Sequence, residues 1–325
     1  MNYLRYRILR VIPVFFLVTF ASFALLNILP GDAADAILGG ADSTDNTEGL
    51  AEAREALREE LGLDRPIIVR YFSWLGGVVQ GDFGDSYVQI APVWELLVER
   101  LPVTIELLIL SQFLALLIAL PCGVYSALKA DKAADRAIGT IAFGLVAMPP
   151  FLLAILLVFV FAVAWKIFPA SGYFPIEEGL GQNLYHYIMP ATVIGLLESP
   201  VLMRVLRVDL IATLQEDYIA LARAKGMSTS YILFRHALRP SSFTLVTVLG
   251  LQFGFLLSGT VIIEQIFSLP GMGKLILDAI DNRDSMLLQG GVTLIALAYV
   301  GINLAVDMLY AVLDPRVGRS QGAGS

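Results

Sequence analysis

Six apolar runs limit what this chain can become. They cover Val11 to Leu29, the stretch between Arg100 and Lys129, that between Arg136 and Lys166, Ile188 to about Met203, Pro240 to Glu264, and Met286 to Leu313. Each is at or near the roughly 20 residues that an α-helix needs to cross a bilayer. The chain is 57% hydrophobic and 16% charged, whereas a soluble domain carries about a quarter charged residues. The apolar surplus belongs in lipid, and the expected fold is an all-α integral membrane protein with six transmembrane helices. The fourth run is the shortest and carries Glu198 and Pro200, so its limits are the least defined. The single cysteine, Cys122, lies inside an apolar run and reads as a small buried helix residue; it allows neither an internal disulfide nor a Cys-based zinc site. The first run follows Arg5, Arg7 and Arg10 and superficially resembles a signal peptide. Leu29-Pro30-Gly31-Asp32 follows it in place of a small-residue cleavage site, so it is read as a retained first span.

Charge orients the spans. Fourteen of the 22 Lys and Arg residues fall in segments on the side of the N-terminus; the other eight lie opposite, mostly in one long loop rich in acids. Short loops obey the positive-inside rule, so both termini are expected in the cytoplasm. The net charge of −7 comes largely from external acids and is no nucleic-acid signature. The expected organisation is a cytoplasmic N-terminus and first span over 1–30, an external cap over 31–100, a transmembrane core over 101–314 with a cytoplasmic loop at about 213–239, and a tail over 315–325. Within the cap, Glu48 to Leu61 has helical composition, with Leu50, Ala53, Leu57 and Leu61 as an apolar stripe, and is stopped by Gly62 and Arg65-Pro66. Tyr71 to Val79 reads as a second amphipathic piece whose Tyr71, Phe72, Trp74 and Leu75 suit a membrane interface.

The loop from Asp217 to Pro240, DYIALARAKGMSTSYILFRHALRP, is basic and amphipathic. On a helix, Tyr218, Leu221, Ala222 and Tyr231 can share one side, with Arg223, Lys225 and Arg235 elsewhere. Gly226 interrupts the helix and permits a sharp bend. Ser228 can cap a second short helix that runs towards Arg239 and ends before Pro240. Such an element fits two roles, a lever seated in a groove on a soluble partner or an interfacial helix binding anionic headgroups.

Here the chain resembles the permease subunits of bacterial and archaeal ABC importers, in the dipeptide/oligopeptide/nickel branch. The general signature places an E-A-A triplet on Ala220, Leu221 and Ala222, where only Ala222 agrees. Gly226 and Leu238 match, and the proline falls one place late at Pro240. Asp217, Tyr218, Ala222, Arg223, Ala224, Lys225, Gly226, Ser228, His236 and Leu238 instead follow the peptide-branch form, DYxxxARAKGxS…RHALRP. The likeness continues through Leu29-Pro30-Gly31-Asp32, the run from Gly81 to Ser86, Arg100-Leu101-Pro102, Val261 to Gly273, Asn282-Arg283-Asp284, Asp307 to Tyr310 and Asp314-Pro315-Arg316. It covers almost the whole chain and resembles the B-type permease with the long first external loop. The resemblance implies a type I importer permease paired with a second homologous permease. Two cytoplasmic ATPases would bind ATP and Mg, and an external binding protein would deliver cargo. The loop around Ala222 and Gly226 would be the coupling helix. Short peptides are the expected cargo, with nickel or glutathione as alternatives and a stand-alone channel or secondary transporter as the reading from another class.

Other motifs fail. Pro270-Gly271-Met272-Gly273-Lys274 lacks a phosphate-loop glycine at Ser268 and a Ser or Thr at Leu275. His186 and His236, the only histidines, are expected on opposite faces of the membrane, so no catalytic residue or metal site is assigned and the chain is not read as an enzyme. Charged groups in apolar runs are functional candidates by default. Glu106, Glu198 and Asp307 lie within runs and Glu264 at an edge. Glu198, and less so Glu264, are the candidates for the translocation path; pairing of Glu198 with Arg204 or Arg207 is the structural alternative.

Overall fold

The computed structural model describes residues 12–24, 34, 38, 48–60 and 62–313. Arg5, Arg7, Arg10, Leu61, the Leu29-Pro30-Gly31-Asp32 opening, Asp314-Pro315-Arg316 and the 321–325 tail lie outside the described residues, as do the side chains of Leu50 and Asp307. Helix dominates, in two compact units: Met1–Thr104 with Pro270–Val300, and Ile105–Leu269 with Gly301–Ser325.

In the first unit, α1 (Ile12–Ala24) belongs to the first apolar run. α2 (Glu48–Glu60) ends at Gly62, φ +62°, where Gly62 N–H bonds Glu59 O at 3.0 Å and Leu63 N–H bonds Arg58 O at 2.9 Å. That pair of bonds is a Schellman cap, and its left-handed residue favours glycine. α3 (Ile67–Val79) follows. Its Tyr71 and Leu75 are buried with Phe23 of α1, and the hydroxyls of Tyr71 and Thr19 lie 2.8 Å apart. The expected interfacial role of Tyr71 and Leu75 is therefore corrected: a tyrosine whose hydroxyl finds a buried partner packs inward. Phe72, at 59% exposure, remains on the outer face.

β1 (Asp85–Ser86) and β2 (Ala91–Pro92) form an antiparallel pair with Asp85 opposite Pro92. It leads into α4 (Val93–Leu128). Phe83, Val93 and Leu97 pack with Met272, Leu275 and Ala279 of α12 (Met272–Asp281) and Leu287 of α13 (Ser285–Leu313). Asp284 caps α13 through Leu287 N–H at 3.1 Å and accepts a second bond from the Ser86 hydroxyl.

The second unit holds most of the apolar helices. α5 (Ala133–Val146) and α6 (Pro150–Leu157), which continues as a π-helix over Val158–Ala164, meet at 104°. The run between Arg136 and Lys166 is thus two helices where one span was expected. Pro149 and Pro150 lack N–H donors, and proline drives the residue before it out of helical geometry; Pro149 itself is extended, φ −61° and ψ 137°.

α7 (Leu180–Leu214) is 35 residues long and far exceeds the short fourth run, although Pro190 and Pro200 lie inside it. Pro200 deprives the Leu196 carbonyl of its helical donor, and the Ser199 hydroxyl donates to that oxygen at 3.2 Å. α7 packs on α4 where small residues let the backbones approach: a Cβ on Gly195 would stand 3.1 Å from Ser111 O, and one on Gly123 the same distance from Met203 O.

α8 (Asp217–Ala224), α9 (Thr229–Tyr231), a π-helical turn (Ile232–Ala237), α10 (Leu238–Gly259) and α11 (Val261–Phe267) complete the unit with the end of α13. The helices from Thr229 to Leu256 and from Val261 to Phe267 meet at 63°. Among the described residues, three unbroken helices are long and apolar enough to cross a membrane, or five spans if each bent pair counts as one. α1, described over residues 12–24, is shorter than a span. On α4 the apolar surface runs all round: Leu108, Ala115 and Ala119 are buried while Ile109, Phe113 and Leu117 are exposed. That pattern suits a helix surrounded by lipid and protein rather than water.

Candidate functional site

The segment between α7 and α10 is built by local rules. Asp217 opens α8 and Arg223 sits in its last turn, each placed to suit the helix dipole. The helix ends in a complete Schellman cap: Gly226 N–H bonds Arg223 O at 2.9 Å and Met227 N–H bonds Ala222 O at 3.3 Å, with Gly226 left-handed at φ +77°. Lys225 occupies the C-cap between Ala224 and that glycine. Ser228 begins the next helix, its Oγ accepting from Tyr231 N–H at 3.3 Å.

Two expectations change here. The second helix does not stop before Pro240; it runs through a π-turn into α10. Pro240 lies within this continuous helix, where its missing N–H leaves the His236 carbonyl without its helical donor; the Tyr218 hydroxyl approaches that oxygen instead. Nor do Tyr218, Leu221, Ala222 and Tyr231 share a side. Ile219 and Ala222 form the buried face, packed with Ile232, Leu233, Ala237, Leu210 of α7 and Ala127 of α4. Tyr218, Leu221, Met227, Tyr231 and Phe234 are all exposed, Leu221 at 57% and Phe234 at 68%. The inward face is the purely apolar one, and sequence reasoning overlooked Ile219 although it sits three residues before Ala222.

His236 lies within the π-turn, its ring 5.6 Å edge-on from Tyr231; its carbonyl receives the Tyr218 hydroxyl at 3.5 Å. The His236 Nε2 atom is buried without a hydrogen-bond partner. Leu238 starts α10 and is half-buried beside the α4–α7 core. The element thus consists of a short rigid helix seated on a hydrophobic base, closed by a glycine turn, with an aromatic and aliphatic outer face.

The carboxylates within the spans take other partners than expected. Glu198 on α7 is half-buried, with the side chain of Gln252 of α10 beside it. Arg207 binds Asp135 in bidentate fashion, Nε to Oδ1 at 2.8 Å and Nη2 to Oδ2 at 2.6 Å, while Arg204 is exposed. The Glu198–Arg207 pairing is therefore corrected, because a forked guanidinium matches a carboxylate that already faces it. Glu264 is fully buried, accepting from the Thr260 hydroxyl at 2.9 Å, so its carboxylate is closed to solvent in this conformation. The side chains of Asn183 and Tyr187 lie beside Glu106. Asp135 escaped the sequence reading: an acid among Lys129, Lys132 and Arg136 looks like a solvated loop charge, and its partner lies 72 positions away.

Known proteins resemble the chain over nearly all of its length. Residues 119–319 match the family described as binding-protein-dependent transport system inner membrane component. Residues 1–108 match the N-terminal family of the same membrane components. Over 317 residues, 98% of this chain and 99% of the relative, it is 35% identical to the glutathione transport system permease protein GsiC of Escherichia coli (strain K12). The protein of the same description from Shigella dysenteriae serotype 1 (strain Sd197) matches equally, at 35%. A solved structure described as inward-facing conformations of the MetNI methionine ABC transporter aligns with a TM-score of 0.55 over 67% of this chain and 96% of that one, at 16% identity, a likeness of fold alone. The chain belongs to the binding-protein-dependent transport system inner membrane components and is a permease subunit of an ABC importer.

Proposed function

We propose that the chain forms half of a translocation path together with a second homologous permease, and that α8 is the coupling helix that docks on a cytoplasmic ATPase. The observation that carries this is the split of α8 between a buried Ile219–Ala222 base and an exposed Tyr218–Leu221 face. Exposed aromatic and aliphatic side chains on a rigid, basic element fit a protein groove better than water. The ATPases would bind ATP and Mg; this subunit would hydrolyse nothing. An external binding protein would hand over cargo to a side capped by residues 31–100, with both termini in the cytoplasm. Short peptides are the proposed cargo class, and the likeness to glutathione permeases favours glutathione, itself a tripeptide, within it. Glu198, half-buried beside Gln252 inside a span, is the residue we place on the path.

Gentle-detergent purification from native membranes tests the assembly. Recovery of a second permease and two ATPases is expected. Leu221→Asp should release the ATPases without lowering the thermal stability of the permease, since that side chain is 57% exposed. Retention of the ATPases by Leu221→Asp, or purification of this chain alone from intact membranes, would remove the coupling role. Uptake of radiolabelled glutathione and of dialanine by proteoliposomes then separates the cargo readings.

A further inference from the structure

Asp135 stands at the first turn of α5, 7% exposed, with both carboxylate oxygens filled. Oδ1 accepts from Arg207 Nε at 2.8 Å and from the Ser126 hydroxyl; Oδ2 accepts from Arg207 Nη2 at 2.6 Å and from the Asp131 N–H at 2.9 Å. The donors come from the end of α4, from the turn held left-handed at Asp131 (φ +65°), and from α7. A buried pair of this kind adds little net stability over an apolar replacement, so its value lies in where it holds its neighbours.

Those neighbours are the seat of α8. Ala127, next to Ser126, and Leu210, one turn beyond Arg207, both belong to the buried cluster that holds Ile219 and Ala222. A turn further along α7, Thr213 accepts from the Ser241 hydroxyl of α10 at 3.0 Å. The two side chains that clasp Asp135 are therefore within one helical turn of the base on which α8 rests.

We propose that Asp135 is a positioning residue for energy coupling: it locks the end of α4 to α7, so that a push on α8 moves both helices together rather than prying them apart. This rests on the coupling reading of α8. Without the clasp, α8 keeps its own fold and its outer face, but motion at the ATPase dissipates in slippage between α4 and α7.

The test uses the whole transporter in proteoliposomes, with radiolabelled glutathione as probe and dialanine if glutathione is not carried. Asp135→Asn and Arg207→Gln should each lower cargo moved per ATP hydrolysed by at least fivefold. They should raise amide exchange over residues 126–135, where the Asp131 N–H is held by Asp135, and leave it unchanged over 217–226; the double variant should be no worse than the more severe single one. Ser126→Ala removes one donor only and should give an intermediate loss, which covers failure of the stronger variants to fold. An unchanged cargo-to-ATP ratio in Asp135→Asn and Ser126→Ala, whether or not thermal stability falls, overturns the proposal. Gly226→Val run in parallel separates the two readings: if it too leaves the ratio unchanged, the coupling role of α8 fails; if it alone uncouples, only the role of Asp135 does.

Discussion

Replacement of Gly226 isolates the coupling role proposed for the α8 turn. A Cβ at this position would meet nothing within 4 Å, so no clash contributes to the cost. The penalty is conformational: at φ +77° a residue with a side chain pays about 1–2 kcal/mol, less for asparagine and more for a β-branched residue. Escape to negative φ would break the bonds from Gly226 to Arg223 and from Met227 to Ala222, each worth about 0.5–1.5 kcal/mol net, so relaxation is no easier than strain. A loss of 1–2 kcal/mol lowers the population of the intact turn by roughly 5–30-fold relative to alternatives of similar energy. Cargo moved per ATP should therefore fall in the order Gly, Asn, Ala, Val in reconstituted transporter, with the amount of assembled complex unchanged. An alanine variant with the ratio of the native protein, or an asparagine variant worse than alanine, would refute the reasoning, because neither is compatible with a left-handed turn as the part that matters.

Two further tests address the scaffold. A Cβ on Gly250 would collide with the Val306 side chain, so Gly250→Ala should destabilise the membrane-embedded protein by about 1–3 kcal/mol, and Val306→Ala should restore most of it; thermal unfolding of single and double variants in detergent measures both, and additive losses would contradict the contact. Burial, and then the nearby Asp85 and Asp284, push the Tyr87 phenol above its usual pKa of 10.0. Its folded-state pKa being raised, Tyr87 adds stability that is fully present below pH 10 and is lost as pH climbs through the higher folded value. The native protein should lose more stability above pH 10 than Tyr87→Phe, and parallel pH profiles would contradict the assignment.

Much of the candidate site was legible because its rules are local. The α8 helix, the turn at Gly226 and the cap at Ser228 depend on residues within five positions of one another, and α2 with its stop at Gly62 is of the same kind. Length of apolar run was a poorer guide. It passed over Pro149-Pro150, which divides α5 from α6, and it cut α7 short because the polar residues flanking the run, among them Asn183, His186, Arg204 and Arg207, end the apolar stretch without ending the helix.

By itself the sequence determined that this chain lives in lipid, that its spans are helical and where the α8 turn falls, for these follow from composition, periodicity and short-range geometry; its family was legible only through the motifs it shares with known permeases. Only the tertiary structure decided which face of α8 is buried, that Arg207 serves Asp135 rather than Glu198, and that Glu264 is sealed from solvent. Those outcomes depend on which helices pack together, and a carboxylate takes the donor that folding brings within hydrogen-bond reach, however far apart the two lie along the chain.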